Sequence, residues 1–557
     1  MEAIGKRVWL SLILAAAFLL IGVATLDDYG VNWDEPVHFM RGQAYWRLLT
    51  TGKRNYNDLP KLAFHFPKND RYSTEVAPDF KDDTFFRRSY YQSDVWNGAW
   101  FLANDSPHPP LNDILAAATN WFFYQKLGVL GDVEAYHLFE VFCGAIMVFL
   151  VTFWVAAQAG LVAGLVAGLA LFAYPLFLGE TRFNIKDPVE ACFFSFTIFS
   201  FWLAVKKSSP QWLALTAIFA GMALATKPNI AFVPLVLLPW FVTCRPWPKL
   251  TKKFYLAMLL MPVIVGVIFF VSWPYLWQDP LATLAETWGY YRHIGTAQQY
   301  QPARFYWHGF NTYPLQTIFL TTPLLTLLLA VIGVFAAFSN WKKDQSKTAF
   351  LWLLWLLVPV GRVTVPGTAI YGGVRQIMEY LPALALLAGL GAHFLSRQAK
   401  IRRGWLWVLM LAAFAPITLK LINLHPSESL YFNELAGGLR GAAAQDFPDW
   451  GLSLGNEYRQ GVNWLNENAA SGADLNLARG LLSNLPRIWI RPDINFGDHY
   501  FSGEAKKGEY VMGLIYQGWD GWIPEKAAYL KTLPSVFEYQ VDGVTVLKIW
   551  HNKEPNG

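Results

Sequence analysis

About eleven apolar stretches, each close to the length needed to cross a bilayer, constrain this 557-residue chain more than anything else in it. A helix needs about 20 mostly apolar residues to span the hydrocarbon core, where no water is available to satisfy an open backbone. The stretches cover roughly residues 7–26, 136–157, 160–178, 188–205, 211–227, 229–244, 254–274, 315–338, 348–364, 378–395 and 404–423. Only 15% of the chain is charged, against about 25% in a soluble domain. The 26 Trp and 25 Tyr suit membrane–water interfaces. The expected fold class is a polytopic α-helical membrane protein with about eleven transmembrane helices and a small α/β domain at its C-terminal end.

Basic residues in short loops set the orientation. With Lys6 and Arg7 in the cytoplasm, the other inner turns carry Lys206 and Lys207; Arg245, Lys249, Lys252 and Lys253; Lys342, Lys343 and Lys347; and Arg397, Lys400, Arg402 and Arg403. The turn near Ala159 is too short to carry a charge. Residues 111–127 are moderately apolar, but spanning them would move every later basic loop outside, so they are expected to lie along the interface. The N-terminal apolar run is read as the first span rather than a cleaved signal peptide. The protein is therefore expected in the inner (plasma) membrane, with its N-terminus cytoplasmic and three pieces outside. These are a first loop over 27–135, a second over 275–314 and a soluble C-terminal domain over 424–557, following a membrane region of 1–423. Within that tail, Val541-Asp542-Gly543-Val544 predicts a hairpin turn, Tyr510–Tyr516 a strand and Gln460–Asn468 a short helix.

A net charge of +5 without a basic stripe gives no nucleic-acid reading. Cys143, Cys192 and Cys244 lack the spacing of a zinc or redox site and read as small buried hydrophobes.

Chemistry is expected where charge accumulates at the outer boundary. Asp34 and Glu35 follow the first span at once, and paired carboxylates at a membrane boundary are expensive to desolvate. The plain reading, a solvated loop start, competes with a functional one. His108 sits in Asp105-Ser106-Pro107-His108-Pro109-Pro110-Leu111, where three prolines hold the backbone extended before a helix begins. Arg182, Lys186 and Asp187 crowd the next outer turn, and Arg offers phosphate a bidentate fork. Lys227 joins two apolar spans; Arg362, Arg375 and Glu379 flank a later outer turn, Arg375 and Glu379 standing four apart as a helical pair would. Arg304 and His308 lie in the second large loop, within reach of a lipid headgroup. Singly each residue has a bland explanation; their shared placement is the signal.

In this order and topology the chain resembles the GT-C glycosyltransferases related to protein O-mannosyltransferases and to the aminoarabinose transferase of lipid A. The likeness covers most of 1–423 and rests on Asp34-Glu35 after the first span, His108-Pro109-Pro110-Leu111 before an interfacial helix, Arg182 and Asp187 in the second outer turn, and Lys227 after the fifth span. Tyr431–Gly438 with Asp449-Trp450-Gly451 is similar to tails of prokaryotic members. Eukaryotic protein mannosyltransferases carry a β-trefoil-type insertion in the second outer loop; this loop has only about forty residues, so the resemblance is to bacterial or archaeal relatives. It implies a sugar donor carried on polyprenyl phosphate or diphosphate, an acceptor outside the cytoplasm, and Asp34 in the place of the catalytic aspartate.

The residue types suit that chemistry. A lipid phosphate is a good leaving group and needs cations more than a general acid. The incoming hydroxyl or amine needs a carboxylate base. The expectation is Asp34 as base, Glu35 as its orienting neighbour or an acceptor contact, and Arg182, Lys186, Lys227 and Arg375 as donor-phosphate ligands. His108, Asp187, Arg304 and His308 are candidate lining residues. A divalent ion could bind the first-loop acids, but no ligand spacing defines one, so no essential cofactor is expected. The competing class is a transporter or flippase of a lipid-linked substrate; no internal repeat of helix hairpins supports it.

Overall fold

A computed structural model describes residues 2–59, 87–105, 107–245, 249–296, 299–339, 341, 342, 344, 346–398, 403–479, 484–496 and 509–553. Of the basic inner-turn residues named above, Lys343, Lys400 and Arg402 lie outside these, as does Ser106 of the proline-rich segment. The chain divides into two compact units: residues 1–23, 102–112 and 139–423 form one, and 24–101, 113–138 and 424–557 the other. The division keeps the boundary at 423/424, but most of the first loop, residues 24–101 and 113–138, groups with the C-terminal residues.

The first unit is helical. Among the described residues, five helices are long and apolar enough to cross a membrane: Ile4–Ala24, Asp132–Ala159, Asp187–Lys207, Lys252–Ser272 and Gly404–Leu424. The expected span over 315–338 is instead two helices, Tyr313–Thr321 and Leu324–Ser339, bent by 118°. Pro323 stands at the break, where it lacks an N–H and disfavours helix in the residue before it. The remaining expected spans fall on shorter helices, among them Leu161–Phe172, Pro210–Leu224, Pro228–Cys244 and Thr348–Arg362.

Backbone contact replaces hydrophobic burial where the helices pack closest, as expected where lipid competes with every apolar face. A Cβ on Gly333 would lie 1.9 Å from the Leu387 carbonyl oxygen, and one on Gly391 1.9 Å from that of Leu329. The helices Leu324–Ser339 and Tyr380–Gln398 thus meet through reciprocal glycines. Trp154 anchors an aromatic cluster with Trp202 and Trp352, at ring separations of 5.1 and 5.6 Å.

In the second unit the C-terminal residues build a five-stranded sheet. Its strands are β1 (Asp474–Leu477), β2 (Asn495–Phe496), β3 (Glu509–Leu514), β4 (Ser535–Val541) and β5 (Val544–Asn552), in the order β2-β1-β3-β5-β4. β1 pairs in parallel with β2 and β3, while β5 runs antiparallel to β3 and β4. Asp542 and Gly543, at φ 51° and 74°, close the β4–β5 hairpin as its sequence predicts. The helix Tyr458–Asn468 buries Tyr458, Val462 and Leu465 in a core with Leu475, Met512, Leu547 and Ile549.

Candidate active site

The first unit gathers its charges around Asp187. Lys227 precedes Pro228, and that neighbour forces it out of the helical region, to φ −156° and ψ 139°. The extended residue ends the preceding helix and projects its side chain. Lys227 Nζ donates to Asp187 Oδ1 at 2.7 Å and to the Gln376 carbonyl at 2.8 Å. Arg375 NH1 donates to the other carboxylate oxygen at 3.1 Å. Asn184 completes the set, its Nδ2 donating to Asp187 Oδ2 at 3.0 Å and its Oδ1 accepting from the Asp187 N–H at 3.0 Å. Asp187 opens the helix Asp187–Lys207, where the helix dipole favours a negative charge.

Arg375 does not use Glu379 in the way its spacing predicted. Residues Val374–Ile377 form a 3₁₀ turn rather than an α-helix, so positions four apart do not share a face. Glu379 instead pairs with Arg362 at 3.2 Å, and its Oε2 accepts from Asn229 at 3.4 Å.

Lys186 points to a neighbouring polar group. Its Nζ lies 3.2 Å from His108 Nδ1, and the ring's nitrogens also face the hydroxyls of Tyr291 at 2.8 Å and Tyr290 at 3.1 Å. The proline-rich segment delivers His108 because the Leu111 N–H, at the next helix start, donates to the Ala225 carbonyl at 2.9 Å. Arg182 has different partners. Almost fully buried, it donates through NH1 to the Leu178 carbonyl and lies over the Phe18 ring at 5.4 Å. Arg304 and His308 are both exposed. Arg304 covers its neighbour Phe305; His308 and Gly309, at φ 47° and 84°, form the turn of the hairpin Tyr306–Trp307/Phe310–Asn311.

The carboxylate pair lies in the second unit, where its two members part. Asp34 stands exposed at the N-cap of the helix Glu35–Thr51. Glu35 turns inward: its Oε2 accepts the Asn32 N–H at 2.8 Å and lies 3.1 Å from His137 Nε2. That distance is a direct hydrogen bond, and Glu35 is only 1% exposed. It fits an orienting role for the helix start; the acceptor contact also expected of it would need an accessible side chain.

One turn further along, His38 and Arg41 converge on Asp113. Arg41 Nε donates to Asp113 Oδ2 at 2.7 Å, and His38 Nδ1 is 3.0 Å from Oδ1. Burial alone would raise the Asp113 carboxyl, but the Arg41 and His38 charges outweigh it and hold it below the ordinary carboxylate range. Gly42 makes the approach feasible, since a Cβ there would lie 2.2 Å from the Asp113 carbonyl oxygen. Sequence reading missed Arg41, Asp113, Asn184 and the Tyr290-Tyr291 pair. Only Asn184, inside a charged turn, carried a local signal; the others acquire a partner through long-range contact.

Residues 108–273 match the model of the family described as dolichyl-phosphate-mannose-protein mannosyltransferase. That stretch holds His108, Arg182, Lys186, Asp187 and Lys227, and it bears out the resemblance read from the sequence. No curated protein matches the chain significantly. Among solved structures, ArnT from Cupriavidus metallidurans bound to undecaprenyl phosphate is 14% identical, with 98% of this chain and 99% of that chain covered and a TM-score of 0.48. The Archaeoglobus fulgidus oligosaccharyltransferase in its apo form is 11% identical, with 97% and 74% covered and a TM-score of 0.48.

Proposed function

We propose that the chain is an integral-membrane glycosyltransferase moving a sugar from a polyprenyl-phosphate or polyprenyl-diphosphate carrier to a protein or glycolipid acceptor outside the cytoplasm. The observation that carries this reading is the convergence of Lys227 and Arg375 on the one carboxylate of Asp187. Two of those three residues fall in the stretch that matches a mannosyltransferase family.

A lipid phosphate gains charge as its bond to the anomeric carbon breaks. Cations already oriented by a shared carboxylate can meet that charge with little reorganisation. Lys186, held near His108, adds a third positive group. Arg182, enclosed beside Phe18, acts in this scheme through the helix end that presents the turn. Asp34, exposed at its N-cap, takes the proton of the incoming hydroxyl or amine. Glu35 holds the Asn32 N–H beside it. One displacement inverts the anomeric centre, and no metal is required. The N-terminus is cytoplasmic and the residues beyond 424 lie outside.

The test is transfer of a labelled sugar from polyprenyl-phosphate donors by purified protein in detergent, where transport has no meaning. Asp34→Asn should cut turnover by roughly 10²- to 10⁴-fold with the fold retained. Turnover near the parent level would remove Asp34 from the base role. A parent protein inert with every donor would favour a flippase instead.

A further inference from the structure

The residues leading to Asp34 form almost no regular structure, so their backbone groups need partners elsewhere. They find them on the C-terminal part of the same unit. Arg459 Nε and Gln460 Nε2 donate to the carbonyls of Asp27 and Asp28, both at 3.0 Å. The Gly30 N–H donates to Asn456 Oδ1 at 2.9 Å, and Asn484 Nδ2 donates to the Asn32 carbonyl at 3.0 Å. The Trp33 N–H, next to Asp34, donates to the Leu454 carbonyl at 2.7 Å. Two glycines permit this approach. A Cβ on Gly30 would lie 2.4 Å from the Asn456 carbonyl oxygen, and one on Gly455, at φ 115°, 2.6 Å from that of Val31.

His425 sits at the start of this seam. Its Nε2 is 2.9 Å from Asp28 Oδ2, and its Nδ1 is 2.9 Å from Glu428 Oε1. The Tyr29 hydroxyl donates to the other Glu428 oxygen at 2.8 Å. A carboxylate has no hydrogen to offer and a neutral imidazole has one N–H. Both contacts are hydrogen bonds together only when the ring carries both protons and its positive charge.

We propose that His425, as an imidazolium bridging Asp28 and Glu428, is a positioning residue that locks the 27–33 segment in place and so aims Asp34. This rests on the reading of Asp34 as the base. The lock is charge-dependent. Burial lowers the affinity of the ring for its proton, but the hydrogen bonds and charges of Glu428 and Asp28 outweigh it and raise His425 above the ordinary histidine value. A raised group contributes its stability below the unfolded value and loses it as pH rises through the folded one. Among the described residues, the other ionisable groups near the ring or its two carboxylates are Tyr29, Glu457, Tyr539 and Arg459. Glu457, pushed up to about 7 by burial, works against the release: its ionisation adds a negative charge near Glu428, which favours the protonated ring.

The test uses the whole protein in detergent. His425→Gln can serve one carboxylate but cannot titrate. It should lower kcat about 10-fold with donor KM unchanged, as expected for a misplaced base, and abolish the alkaline decline of kcat. Asp28→Asn, which leaves the ring in place, should move that decline to lower pH; this variant decides the matter should His425→Gln fail to fold. Independently of any substrate, hydrogen exchange of the Gly30 and Trp33 amides, corrected for intrinsic rate, should quicken from acid to alkaline pH in the parent and be insensitive to pH in His425→Gln. Parent-like kcat and pH profiles in both variants, or exchange that ignores pH in the parent, would overturn the proposal. Should no sugar transfer be found, the exchange measurement still decides whether the lock exists.

Discussion

The two charged regions solve the same problem in opposite ways. Around Asp187 the acid is buried and the cations gather on it, so each charge has a partner near the end of an apolar helix. Around Asp34 the acid itself is exposed, and what is buried is its support: Glu35 on the Asn32 N–H, and the Arg41–His38–Asp113 group behind it. The first arrangement holds two positive charges on one enclosed acid. The second leaves one carboxylate exposed while its neighbours are committed to structure. A buried charge beside a membrane needs a partner more than one that reaches water does, and that requirement separates the enclosed residues from the exposed one.

The contrast can be broken at several points. The largest effect on stability is expected from Arg41→Met, which takes the Arg41 charge away from the Asp113 carboxylate at 0% exposure. Loss of one partner of a buried pair costs about 3–5 kcal/mol, readable as a fall in Tm of the detergent-solubilised protein. The parent's own stability from this pair should fade on acidification, because Asp113 is held below its ordinary value and that contribution disappears as pH drops through the folded one. An unchanged Tm in Arg41→Met would mean that the support for the Asp34 helix lies elsewhere.

Asp187→Asn should act on the other region. Lys227 and Arg375 lose the charge that gathers them, and hydrogen bonds to charged groups contribute about 1.5–3 kcal/mol. The expected result is a donor KM raised roughly 10- to 100-fold with kcat less affected. A selective loss of kcat would shift Asp187 from donor binding into the chemistry. The smallest effect is expected from His308→Ala. That residue occupies an exposed hairpin turn, so stability should change by no more than about 0.5 kcal/mol and donor KM should stay constant. A large KM change would restore His308 to the site.

How much was legible varied with the range of the interaction. The β4–β5 turn was readable because Asp542-Gly543 carries its conformational demand locally. Lys227 was readable as a residue of interest, but its partner was not: Asp187 is 40 positions away and Arg375 188 positions from Asp187. Arg375 and Glu379 were misjudged as a pair because their spacing assumes an α-helix, and a 3₁₀ turn stands there. The expected span over 315–338 ignored the one residue that breaks it, Pro323. His425 and Asp28 lie 397 positions apart, a separation at which neither residue says anything about the other.

By itself the amino-acid order determined that this chain builds helices long and apolar enough to cross a bilayer, because apolar length acts through solvent transfer and needs no partner. It also determined which boundary segments hold the charges. Tertiary structure decided which acid each cation serves, which carboxylate of the Asp34-Glu35 pair is exposed, and that most of the first loop joins the C-terminal residues. Those outcomes depend on which distant backbone and side-chain groups close on one another, and burial makes each such closure worth far more than any local preference.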